Sequence, residues 1–246
     1  MKKLIAITAL LSVVAGSSAA QDGQWEFAAT MYVWGSGIKS SVGTSRGPLE
    51  SETDFGDVLD DLDMALMGSF EARRGPWGFV GDLMYTDLSS TESTPFGVLF
   101  SAADVDTTTT TFSGYALYRA VDKPTGTLDV GAGVRANSLD IDVTLQPGTL
   151  PLEAFSVDDT WVDPIVAMRA KVPLSDRWFA TAFVDVGGFG IDSDLTWQVL
   201  GTVGYDINDR WSVRMGYRHM STERTIGGRD VQLELSGPII GATAQW

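Results

Sequence analysis

Trp211-Ser-Val-Arg-Met-Gly-Tyr-Arg-His219 alternates with a period of two: Trp211, Val213, Met215 and Tyr217 share one face, and Ser212, Arg214, Gly216 and Arg218 the other. The preceding segment repeats the arrangement, with Trp197, Val199, Val203 and Tyr205 against Thr196, Gln198, Thr202 and Gly204, and an Asn208-Asp209 turn joins the two. A soluble hairpin has no need for an apolar face that begins and ends in Trp or Tyr while arginines line the other. A barrel strand in lipid does: it needs an apolar exterior about 25 Å tall, aromatic residues at both membrane surfaces and a polar lumen.

Working outward, the same pattern runs through most of the chain. Alternating segments fall at about 24–34, 62–73, 76–88, 106–119, 126–140, 157–172, 177–187, 193–206, 209–223 and 229–246. The expected fold is all-β, a transmembrane antiparallel β-barrel of about ten strands, within a range of eight to twelve. Long breaks follow the first, third and fifth strands, and the shortest turns follow the second, fourth, sixth and eighth. Outer-membrane barrels alternate in this way, with long outside loops and short periplasmic turns.

Three local irregularities are expected. Pro164 removes a ladder donor and predicts local irregularity or a bulge. In the last strand Val231, Leu233 and Leu235 have one parity and Ile240, Ala242, Ala244 and Trp246 the other, so a bulge at Gly237-Pro238 would bring both groups to the lipid face. Gly187-Gly-Phe-Gly190 reads as the most flexible connection. The stretch 35–61 reads as a loop and a candidate lid, with Phe55-Gly-Asp-Val-Leu59 able to form one helical turn.

The chain opens with Lys2 and Lys3, an apolar run from Leu4 to Val14, and small residues at Ser18 and Ala20, the pattern of a secretory signal peptide over 1–20. That run is short for a membrane helix. Residues 21–246 form the barrel domain and hold no apolar stretch of membrane-helix length, so membrane insertion requires a barrel. The 246 residues include 32 acidic and 17 basic side chains, a net charge of −15, and no cysteine. Nucleic-acid binding is disfavoured without a basic stripe, and neither a disulfide framework nor thiolate chemistry is available.

This register turns a mixed set of charges inward. The expected lumen network is Glu71, Asp82, Arg135, Asp163, Arg169, Asp185, Arg214, Arg218 and Glu234, with Glu26, Asp129, Arg73, Lys171 and Arg210 at the same parity. Mixed signs in a narrow lumen favour cross-strand pairs, because an unpaired buried charge is costly. The rival arrangement keeps some of these groups around a thin water path that tunes solute entry. His219 is the only histidine, and its parity places it on the lipid side with Tyr217, Ser221 and Glu223, where a histidine is more often an interface residue than a base, so no enzyme is expected. No cofactor or metal is expected: Asp57, Asp60, Asp61 and Asp63 lack the spacing of a calcium loop, and no helix pattern follows the glycines at 187–190.

Trp161-Val-Asp-Pro164 with Arg169, Asp185-Val-Gly-Gly-Phe-Gly190 leading to Ser193-Asp194 and Trp197-Gln198, Gly204-Tyr205, Gly216-Tyr217-Arg218 and Ser236-Gly237-Pro238 carry a family likeness. Through them the chain resembles a group of uncharacterised, porin-like outer-membrane β-barrel proteins of Gram-negative bacteria. The resemblance covers most of 21–246 and implies a barrel in the outer membrane, with no activity attached. The expected function is a structural or narrow-channel barrel, with specific passive transport of a small or amphipathic solute as the alternative and a rim-located hydrolase as a minor one. The expected partners are outer-membrane lipid, small solutes and the barrel-assembly machinery, engaged through the C-terminal strand that ends in Trp246; the barrel is expected to be monomeric.

Overall fold

The computed structural model describes residues 23–42, 49–93, 100–226 and 229–246; the signal peptide expected over 1–20 lies outside them. Twelve strands follow in chain order: β1 (Glu26–Trp34), β2 (Gly37–Val42), β3 (Leu49–Thr53), then the short helix α1 (Phe55–Asp60), β4 (Leu62–Arg74), β5 (Trp77–Ser93), β6 (Phe100–Lys123), β7 (Gly126–Pro147), β8 (Glu153–Pro173), β9 (Trp178–Gly187), β10 (Leu195–Asp206), β11 (Trp211–Ile226) and β12 (Arg229–Gln245). Ten of them, β1 and β4 to β12, pair antiparallel in sequence order, and β1 closes on β12. This is the expected ten-stranded barrel.

β2 and β3 are the addition. Across β12 the register of β1 runs from Ala28↔Gln245 to Trp34↔Ile239 and continues in phase in β2 from Gly37↔Ser236 to Val42↔Val231. The chain from Ala28 to Val42 is therefore one long rail beside β12, interrupted at Gly35-Ser36, and β3 returns along it. The backbones come close at this break: a Cβ on Gly237 would lie 1.9 Å from the Gly35 carbonyl oxygen. The segment expected to be a loop and lid is thus, in its described part, an extension of the wall. The helical turn expected at Phe55 is present as α1, with the Phe55 ring packed over Gly35.

The strands outgrow the bilayer. β6 has 24 residues, roughly 80 Å of extended chain, whereas a tilted strand crosses the hydrocarbon in about 9–11 residues. The breaks expected at 89–105 and 141–156 are consequently mostly strand, because the Thr/Asp-rich ends of β5 to β8 continue their ladders into water. There Asp104 accepts from Gln146 Nε2 and from Thr91 Oγ1 (2.8 Å). These two bonds, Gln146 first, hold its carboxyl below the usual aspartate range. A depressed folded-state value means that the stabilisation is present above the unfolded value and is lost as pH falls through the folded one. Protection factors of the amides at the tips of β5 and β6, taken relative to intrinsic exchange at each pH, should therefore fall on acidification below the ordinary aspartate range in the wild type, and should fall less in Asp104→Asn.

The outer surface is a lipid face. Met31, Phe70, Phe79, Val130, Val166, Met168, Val203, Met215, Tyr217 and Ile240 are exposed along it. Beside the short turns an aromatic belt forms: Trp25, Phe27, Phe70, Phe79 and Trp246 pack in a chain of rings 5.9–6.4 Å apart, and Trp77 meets Tyr118 and Trp178 meets Tyr205. Such a belt sits at headgroup level. It marks the short-turn end as one membrane surface, and in outer-membrane barrels the short turns are the periplasmic ones.

Two expected irregularities are absent. β12 pairs with β11 from Trp211↔Ala244 to Ile226↔Arg229 without a shift, so there is no bulge at Gly237-Pro238. Val231, Leu233 and Leu235 face inward above the membrane, where Leu235 packs against Trp34, Met84, Met220 and Ile239. β8 passes through Pro164 in unbroken register with β7. The Pro164 carbonyl accepts from the Gly188 amide at the very end of β9 (3.1 Å), so its missing N–H falls where that ladder stops. Gly187–Gly190, expected to be flexible, is a defined turn: Gly188 and Gly190 take φ of 86° and 72°, and Gly190 donates to the Ser193 carbonyl (3.0 Å).

Candidate functional site: a layered lumen

Inward parity stacks the lumen side chains in layers. Nearest the periplasm, Arg73, Arg119 and Arg169 surround two carboxylates. Arg169 grips Glu71 with two bonds of 2.7 Å and donates to Asp129 at 2.8 Å. Arg73 donates to Asp129 at 2.8 Å and to Glu71 at 3.3 Å, and Arg119 to Asp129 at 2.9 Å. Gly78 leaves the room that Arg73 needs, since a Cβ there would lie 2.8 Å from its Nη2.

At mid-height a second polar layer crosses the barrel. Arg135, fully buried, donates from Nη2 to both oxygens of Asp185 (2.9 and 2.8 Å) and from Nη1 to Thr196 Oγ1 (2.9 Å). Tyr115 donates to the same carboxylate (2.8 Å), and Gln198 Nε2 donates both to it and to the Tyr115 hydroxyl. Arg218 continues the chain of bonds: Nε donates to Gln198 Oε1 (2.9 Å), Nη1 to the Tyr32 hydroxyl (3.0 Å) and Nη2 to Asp82 (3.2 Å), to which Tyr32 also donates. Two cations meet two carboxylates, so the layer is neutral. Directly above it Trp34, Met84, Met220 and Ile239 form an apolar cluster, and the Arg218 guanidinium lies 5.0 Å from the Trp34 ring.

The nine predicted lumen residues separate as follows. Glu71 and Arg169 belong to the lower cluster, and Asp82, Arg135, Asp185 and Arg218 to the upper one. Arg214 lies inside but has no carboxylate partner among the described residues; its guanidinium sits 5.3 Å from the Phe179 ring. Asp163 is buried beside Arg135 in register, yet Arg135 turns to Asp185, and Asp163 accepts instead from the Ser193 amide (2.8 Å) and hydroxyl (2.7 Å), fastening the turn after β9. Glu234 is a correction. Without the bulge its parity is outward, opposite Lys39, and it accepts from Gln232 Nε2 (2.9 Å) on the barrel exterior.

Sequence reading left Arg119 and Tyr115 without a face. The signal was present, because Phe112 and Tyr118 are lipid-facing and every odd residue between Thr111 and Arg119 must then point inward. His219 lies outside as expected, its ring 4.7 Å from that of Trp197.

Among the described residues, two connected spaces lie in the lower half of the lumen. A wide vestibule of about 870 Å³ opens at the short-turn end, and a smaller space of about 150 Å³ lies above it. Both are lined by Glu71, Arg169, Thr181 and Arg214, and the upper one ends at Tyr32, Asp82 and Arg218.

No protein-family model matches the chain, and no curated protein matches it in sequence. Solved structures do. The outer membrane protease OmpT of Escherichia coli aligns with a TM-score of 0.56 at 8% identity, over 94% of this chain and 99% of that one. The translocator domain of the autotransporter NalP of Neisseria meningitidis gives 0.43 at 15% identity, over 91% and 89%, and Ail, the attachment invasion locus protein of Yersinia pestis, gives 0.40 at 9%, over 92% and 100%. At such identities the likeness speaks for the fold alone. With its closed ten-stranded wall, apolar exterior and aromatic belt, and with the fold it shares with OmpT, the chain is a β-barrel protein of the outer membrane.

Proposed function

We propose that the protein is a structural outer-membrane barrel whose lumen is closed to solutes. One observation carries this reading: the neutral layer Arg135–Asp185–Tyr115–Gln198–Arg218–Tyr32–Asp82 spans the lumen and is roofed by Trp34, Met84, Met220 and Ile239. An ion crossing it would have to displace paired, desolvated charges and then pass through apolar side chains. The transporter reading draws on the inward path past Arg214, but that path stops at Arg218. A non-enzymatic role is supported by the outward stacking of His219 on Trp197, remote from the lumen carboxylates.

Refolded protein, shown to be folded by heat-modifiable mobility, should be electrically silent in a planar bilayer. Reproducible openings in the wild type, with ion preference altered by Arg218→Ala, would favour the narrow-channel alternative instead.

A further inference from the structure

We propose that the periplasm-facing vestibule is a binding site for a small oxyanion, a phosphate or carboxylate, held by Arg214, Lys171 and Arg73. Three observations carry this. First, positive charge exceeds negative in the ion-pair cluster of the vestibule: two carboxylates, Glu71 and Asp129, are engaged by three guanidiniums, from Arg73, Arg119 and Arg169, while over the whole lining seven basic side chains face six acidic ones. Lys171 and Arg214 come on top of these. Neither has a carboxylate within ion-pair distance among the described residues, although Asp206 lines the same cavity.

Second, these two cations share a single aromatic ring. Lys171 Nζ lies 4.2 Å and Arg214 Cζ 5.3 Å from the centre of Phe179, which is itself buried. Arg214 is partly buried and Lys171 exposed; the ring quadrupole attracts each cation but does nothing for their mutual repulsion. An anion beside them relieves that repulsion and supplies Arg214 with an acceptor.

Third, donors are left over. Arg214 Nε and Arg73 Nη1 are buried with no hydrogen-bond partner, and Arg73 is only 7% exposed. A buried, charged donor without an acceptor is costly, and a small turn of either guanidinium would bring it to an oxyanion in the adjoining cavity of about 870 Å³. Charge-assisted bonds from guanidinium to phosphate or carboxylate are the strong kind. The cavity is blind at its upper end if the closure proposed above holds; binding and conductance are read separately, so either reading can fail without the other.

The test uses the refolded barrel in uncharged detergent micelles, with inorganic phosphate titrated against chloride at constant ionic strength. The readouts are the NMR signals of Arg214 Nε–H and Lys171 Nζ. Saturable shifts are expected with phosphate and not with chloride, and Lys171→Gln and Arg214→Gln should each weaken the apparent affinity by about tenfold or more, with heat-modifiable mobility retained. A parallel arm replaces free phosphate by phosphatidylglycerol in the micelle. Saturation in that arm alone identifies a lipid headgroup as the source of the oxyanion, and saturation with free phosphate identifies a soluble anion. Shifts that grow linearly with either salt, or an affinity unchanged in both variants, would overturn the proposal.

Discussion

Replacing Trp34 and Arg218 together by alanine should convert an electrically silent barrel into one with discrete openings, whereas Arg214→Ala should leave it silent. Arg218 joins the two halves of the closure. Below, it binds Gln198, Tyr32 and Asp82; above, its guanidinium faces the Trp34 ring, which is 4% exposed and whose Nε1 donates to the Gly237 carbonyl (3.2 Å). Removing both side chains takes out the polar bridge and the largest member of the apolar roof on one side of the lumen. Asp82 then remains as an unpaired carboxylate that draws in water, and openings should favour cations. Arg214 lies below the closure in the vestibule, so its loss changes no constriction. Openings in the Arg214→Ala variant with none in the double variant would place the barrier elsewhere.

Arg135→Met should destabilise the barrel by about 3–5 kcal/mol, the usual cost of stranding one member of a buried pair, measured by urea unfolding in vesicles. The pair is fully desolvated, with both side chains at 0% exposure and Nη2 2.8 Å from the Asp185 carboxylate. Asp185→Leu should cost a similar amount. The double replacement should cost less than the sum, with a coupling on the order of 2 kcal/mol or more, because two apolar side chains need no partner. Part of the loss should persist, since Tyr115, Gln198 and Thr196 also lose their partners. Strict additivity would show that the pair is not a unit of the closure.

Barrel type, strand count and the facing of most strands were legible from alternation alone, because lipid and lumen impose opposite polarity on successive residues. Glu234 shows where that logic fails. The parity argument assumed that every apolar residue of β12 must meet lipid, but β12 rises above the membrane, where Leu235 finds an apolar cluster inside. Above the bilayer, polarity no longer reports the face. Asp163 shows a second limit: it is inward as parity implied and stands opposite Arg135 in the ladder, yet which carboxylate a long guanidinium chooses depends on side-chain reach across the lumen. The three guanidiniums gathered on two carboxylates in the lower cluster had the same origin, since parity counts charges on a face and does not pair them.

The rail formed by β1 and β2 has a mechanical consequence. It is laced to β12 from Ala28 to Val42, but to β4 only from Glu26 to Met31, where pairing ends at Gly68. The chain's two ends are thus joined by a longer zip than the one between the first strand and the next in sequence. If the cylinder parts under load, it parts along β4, and the N-terminal strand leaves with the C-terminal half. Above Gly68 the edge of β4 has no partner strand among the described residues and carries the exposed Leu66 and Met64, so the weakest line of the wall runs up to an apolar, unlaced rim.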